Sequence, residues 1–104
     1  MMHIHALLPF GTSQQKQNKL EIALAIALTD GKPELIHQIA QLTFAVQGKD
    51  LETPLILQVS STIELERLRE QRDVFRGIAR VAEFSDVIIR FFEMNERTIF
   101  GSRR

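Results

Sequence analysis

His3-Ile4-His5-Ala6-Leu7-Leu8-Pro9-Phe10 runs into Gly11-Thr12-Ser13, and Leu55-Ile56-Leu57-Gln58-Val59 runs into Ser60-Ser61-Thr62. In both places a short apolar run ends in small hydroxyl residues and opens into a helix-like segment. Strand, hydroxyl cap and helix in succession are the marks of an α/β domain. The first run alternates: Met2, Ile4, Ala6, Leu8 and Phe10 point one way, His3, His5, Leu7 and Pro9 the other. This is the pattern of a strand with one better-buried face.

Ser13 is placed to cap a first helix over Gln14 to Leu28, its hydroxyl accepting from a free amide of the first turn. In that helix Leu20, Ala23, Leu24 and Ala27 share one side, while Ile22 and Ile26 lie opposite. A helix apolar on both sides is either central or covered by another subunit. Thr29-Asp30-Gly31-Lys32 reads as a turn, and Pro33 suits the first position of a second helix. The spacing of Leu35, Ile39, Leu42 and Val46 predicts that helix over Glu34 to about Gln47, with Gly48 as its stop. Phe44 then lies on a flank with His37 and Gln41, as packing or as contact surface.

After the second strand, Ser61 and Glu64 have the spacing of a capping box for a third helix reaching about Ala82. Its apolar face is expected from Ile63, Val74, Ile78 and Val81, widened by Phe75 and Ala82, with Arg67 and Gln71 interrupting it. Asp86 to Glu93, rich in β-branched and aromatic residues, reads as a buried strand. Thr98-Ile99-Phe100 suits a short final strand, and residues 101–104 a frayed tail. The expectation is one α/β (or α+β) domain over residues 1–104, β-α-α-β-α-β(-β). It is a two-layer sandwich of three helices on a small, mainly parallel sheet, with a ferredoxin-like antiparallel sheet as the competing topology.

Composition narrows the function classes. The 104 residues are 44% hydrophobic and 25% charged, an ordinary globular balance. Thirteen basic side chains balance thirteen acidic ones, which disfavours bulk attraction to nucleic acid or anionic membranes and removes a barrier to self-association. Cysteine is absent, which excludes disulfides, thiol catalysis and Cys-ligated metals and suits the cytoplasm. The N-terminus does not read as a signal peptide, and the most apolar stretch, Ile22 to Leu28, is far too short to span a bilayer. There is no Gly-rich phosphate loop and no Gly-flanked serine elbow.

If the helices cover one sheet face, the other should carry His3, His5, Gln58 and Arg90, with Leu7, Ile56, Ile88 and Phe92 beside them. His3 and His5 alone do not make a metal site, because a third ligand such as His37 would have to come from elsewhere. No metal and no cofactor is expected. Thr12, Ser13, Ser60, Ser61 and Thr62 would gather into an anion-binding edge if the two strands ran parallel side by side, although capping alone accounts for them. Arg69, Arg72, Arg76 and Arg80 form a basic ridge on one continuous helix, interleaved with Glu66, Glu70 and Asp73 as in a solvated, ion-paired surface.

Three functions are consistent with this reading. The first is a small cytoplasmic, non-catalytic interaction or regulatory module. It would associate with itself as a homodimer or larger, and with another protein, through Ile22, Ile26 and Phe44. The second is a sensor or minimal enzyme that binds a small anion (phosphate, nucleotide or carboxylate) at the hydroxyl edge. Nucleic-acid binding through the arginine ridge is third and least favoured. No membrane partner is expected.

Overall fold

A computed structural model describes residues 2–48 and 53–94. The expected last strand at Thr98–Phe100 and the tail 101–104 lie outside the described residues. The chain folds as β1 (Met2–Leu8), α1 (Gln14–Leu28), a 3₁₀ turn (Pro33–Leu35), α2 (Ile36–Ile39), β2 (Ala40–Val46), β3 (Leu55–Ser61), α3 (Leu65–Arg69), α4 (Arg72–Val81) and β4 (Val87–Glu93). The four strands form one mixed sheet in the order β2-β1-β3-β4. β1 pairs with β2 and β3 with β4 in parallel, and β1 meets β3 antiparallel at the centre. The phrase repeated in the sequence thus opens each of two strand–helix–strand halves, joined back to back through β1 and β3. The ferredoxin-like antiparallel alternative does not occur.

Alternation in the strands sets the core. Ile4, Ala6 and Leu8 of β1, Leu55, Leu57 and Val59 of β3 and Ile89 of β4 are buried against Leu20 and Leu24 of α1 and Leu68, Phe75, Ile78 and Ala79 of the later helices. The helices of the described residues therefore lie on one sheet face, in a two-layer sandwich. The Phe75 ring is fully buried and meets Phe91 edge-on, with centroids 5.9 Å apart. α1 has the expected bounds, and its Ser13 Oγ accepts from the Lys16 amide at 3.1 Å.

The second helix is much shorter than its apolar spacing predicts. Helical structure stops at Ile39, and Ala40 takes extended dihedrals without an intervening turn. Residues 40–46 instead pair along their whole length with β1. Ala40, Leu42 and Phe44 recur every second residue, while Leu42 also fits the helical stripe of Leu35, Ile39 and Val46; the strand reading buries Ala40, Leu42 and Phe44 at least partly. Phe44 is accordingly not on a helix flank; it faces the core from β2, opposite Ala6.

The third helix is two helices. The amides of Glu70 and Gln71 bond to the carbonyls of Arg67 and Leu68, which tightens the chain and ends α3 before α4 begins. Ser61 is not the helix cap. It is the buried last residue of β3, and its Oγ accepts from the Ile63 amide at 3.2 Å. The Leu65 amide donates instead to Glu93 Oε1 at 3.1 Å, so the cap of α3 comes from the end of β4. The apolar face also turns. Phe75, Ile78, Ala79 and Ala82 are buried, while Val74 and Val81 face outward.

Candidate functional site

Three surfaces stand out. The first is the sheet face opposite the helices, which no helix among the described residues covers. Strand pairing aligns its residues in three rows across the four strands: Gln41–His3–Ser60–Phe92, Thr43–His5–Gln58–Arg90 and Ala45–Leu7–Ile56–Ile88. His3, His5, Gln58 and Arg90 are brought onto this one face with their apolar neighbours. Within the middle row His5 Nδ1 and Thr43 Oγ1 are 2.6 Å apart, linking edge strand β2 to β1. His37 sits on α2, in the other layer. Among the described residues no three His, Asp or Glu side chains are grouped to hold a metal.

The second surface is the outside of the helical layer. Ile22 and Ile26 of α1 are 57% and 47% exposed, and Val81 of α4 is 74% exposed. Between the two helices runs a groove of about 340 Å³ floored by Ala23, Ala27 and Gly77 and walled by Ile26, Val74, Ile78 and Val81. The small floor residues leave the groove open, and Ile26, Val74 and Val81 stand exposed beside it. The Lys19–Glu83 ion pair, 3.2 Å, links α1 to the residue that follows the cap of α4. Sequence periodicity placed Ile22 and Ile26 opposite the core, but it put Val74 and Val81 in it.

The third is a cavity at the edge where β1 begins and β3 ends. Met2, Leu28, Ile39, Ala40, Ser61, Thr62 and Ile63 line about 230 Å³. Met2, Leu28 and Ile63 also belong to an adjoining cavity of about 300 Å³, bounded by Arg67, Glu70, Gln71 and Phe75. The polar interruption at Arg67 and Gln71 thus falls where the helix overhangs the sheet edge.

The five hydroxyl residues do not converge. Because β1 and β3 are adjacent but antiparallel, Ser61 pairs with Met2 at the start of β1, and Thr12 and Ser13 follow the opposite end. Thr12 Oγ1 donates to the Pro9 carbonyl, 2.6 Å away, and Ser13 caps α1. Ser61 and Thr62 line the cavity at the β1–β3 edge; Ser60 lies on the open face.

The arginine ridge is also divided. Arg69 ends α3, and Arg72 starts α4 with its guanidinium turned to β4. Arg76 lies 3.9 Å from Asp73.

No protein-family model and no curated protein matches the sequence. Among solved structures, the chain is similar to a macrophage migration inhibitory factor-like protein from Entamoeba histolytica, with a TM-score of 0.57 and 12% identity. The match covers 92% of this chain and 90% of that one. The likeness concerns the fold. Among the described residues no helix is long and apolar enough to cross a membrane.

Proposed function

We propose that this chain is a small, non-catalytic interaction or regulatory module that associates with itself through the outer face of α1 and α4. The observation that carries this reading is the apolar groove between the two helices, walled by the exposed side chains of Ile26, Val74 and Val81, with Ile22 also exposed one turn before Ile26 on α1. Contiguous apolar surface of this kind marks contact sites. With basic and acidic side chains balanced, no net repulsion opposes the approach of a second copy. The cysteine-free sequence suits the cytoplasm.

The test is the Ile22→Asp/Ile26→Asp variant, because both side chains are already half in solvent and the fold should tolerate the change. A folded variant of lower mass than the parent supports the reading. A folded variant of unchanged mass moves the contact elsewhere; an unfolded one returns both residues to the core. The outer edge of β2 is the comparison, since Ala40–Val46 carries no charge and no proline to block pairing. Release of the parent assembly by Val46→Lys but not by the helix variant would assign association to that edge.

A second reading has its own observation. Ser61 and Thr62 face a cavity with an apolar floor, a setting for a small anion with an apolar body. A thermal-shift screen with phosphates, nucleotides and carboxylates tests it. A stabilising ligand whose effect is lost in Thr62→Glu supports the reading; no shift beyond about one degree counts against it.

A further inference from the structure

The open sheet face differs from the rest of the molecule in charge. None of its three paired rows contains an acidic residue, although the chain has thirteen acidic side chains. Glu93, at the end of β4, turns to the helical side to cap α3. The middle row presents polar side chains from four strands, Thr43, His5, Gln58 and Arg90, spaced about 4.8 Å apart along the sheet, with His5 and Thr43 hydrogen-bonded to each other and Gln58 and Arg90 beside them. The row beside it, about 6.7 Å away, carries the flat rings of His3 and Phe92, the latter 47% exposed.

A flat, carboxylate-free surface with rings beside donors meets the needs of a single-stranded nucleic acid. Bases stack on rings whatever their identity, while an arginine and neutral donors hold the phosphates. A duplex hides its base faces and cannot use the rings. An acidic peptide would use the donors and leave the rings idle. Zero net charge limits the electrostatic share, so stacking must supply much of the affinity.

We infer that the open face, through Phe92 and His3 beside Arg90, His5 and Gln58, is a weak binding surface for single-stranded nucleic acid. The reading is independent of self-association through the helices, which lie on the other side of the sheet.

The test is fluorescence anisotropy of a labelled twelve-nucleotide oligothymidylate at low salt, with the protein's mass checked at each concentration. Saturable binding is expected, weakened about tenfold in Phe92→Ala and likewise in Arg90→Glu. An abasic strand and a duplex of equal length should both bind more weakly. The logarithmic salt slope should be shallow, about −0.7, since Arg90 is the one arginine or lysine in the three rows. Arg69→Glu/Arg76→Glu, on the helical side, should leave affinity unchanged. The inference is overturned by no binding at low salt, by equal affinity for the abasic strand, by loss in the helix variant instead, or by equally effective competition from polyglutamate. Phe92 and Arg90 are exposed, and unchanged thermal unfolding of their variants would confirm that binding rather than folding is being read.

Discussion

Arg72 Nη1 donates to the carbonyl oxygen of Ile89 at 3.2 Å, from the first turn of α4 to the inner region of β4. The guanidinium also lies 5.4 Å from the centre of the Phe91 ring. An arginine expected on a solvent-facing basic ridge is thus a brace between helix and sheet. Its removal leaves a β4 carbonyl without this donor and uncovers one face of an aromatic ring. Arg72→Ala should cost about 1–2 kcal/mol in urea unfolding, and Arg72→Lys should recover only part of it. A loss below about 0.3 kcal/mol would show that the brace does not operate in solution.

Glu83 follows the cap of α4 with φ 68°, a left-handed conformation that side chains adopt at a cost. The Phe84 amide bonds to the Ala79 carbonyl at 2.9 Å, closing the turn that usually has glycine at this position. Against the backbone cost stands the Lys19 ion pair, which is largely solvent-exposed and worth little. Glu83→Gly should therefore raise the unfolding midpoint, by about 2–4 °C for a gain near 0.5 kcal/mol. A fall in midpoint would mean that the link to α1 outweighs the strain.

Gly77 lies inside α4, where a glycine costs about 1 kcal/mol relative to alanine. A Cβ built there meets nothing within 4 Å, because it projects into the α1–α4 groove. In an isolated protomer Gly77→Ala should stabilise by about 0.5–1 kcal/mol. If a second copy seats in the groove, the same methyl should weaken association while the fold becomes more stable. Opposite signs in the two measurements would identify the groove as the contact; tighter association would exclude that arrangement.

The sequence was legible wherever local pattern and burial agree. The alternation of Ile4, Ala6 and Leu8 against His3, His5 and Leu7 yields β1 and both of its faces, and with Gln58 and Arg90 it yields the composition of the open face. Ser13 marks the start of α1 for a local reason, a hydroxyl three residues from the amide it receives. The second helix misleads because Ala40, Leu42, Phe44 and Val46 satisfy a strand period while Leu35, Ile39, Leu42 and Val46 satisfy a helical one. No glycine or proline separates Ile39 from Ala40 to mark the change. Seven-residue pairing with β1 decides between them, and that is a tertiary fact. The break at Glu70–Gln71 is equally unmarked.

The cap of α3 could not be found locally, since Glu93 lies twenty-eight positions from the Leu65 amide it receives. The hydroxyl edge failed for a related reason. Whether Thr12 and Ser13 meet Ser60, Ser61 and Thr62 depends on the relative direction of β1 and β3, which no short-range pattern records. The outward turn of Val74 and Val81 follows from the same break in the third helix, and it enlarges the apolar surface already visible at Ile22 and Ile26.

Self-association is tested most directly by the absolute mass of the protein in solution. Size exclusion with light scattering across a wide range of protein concentrations should give at least twice the 11.9 kDa chain mass, rising or already saturated as concentration increases. A monomer that persists at the highest concentration would contradict the account and leave the groove between α1 and α4 without a second copy to fill it.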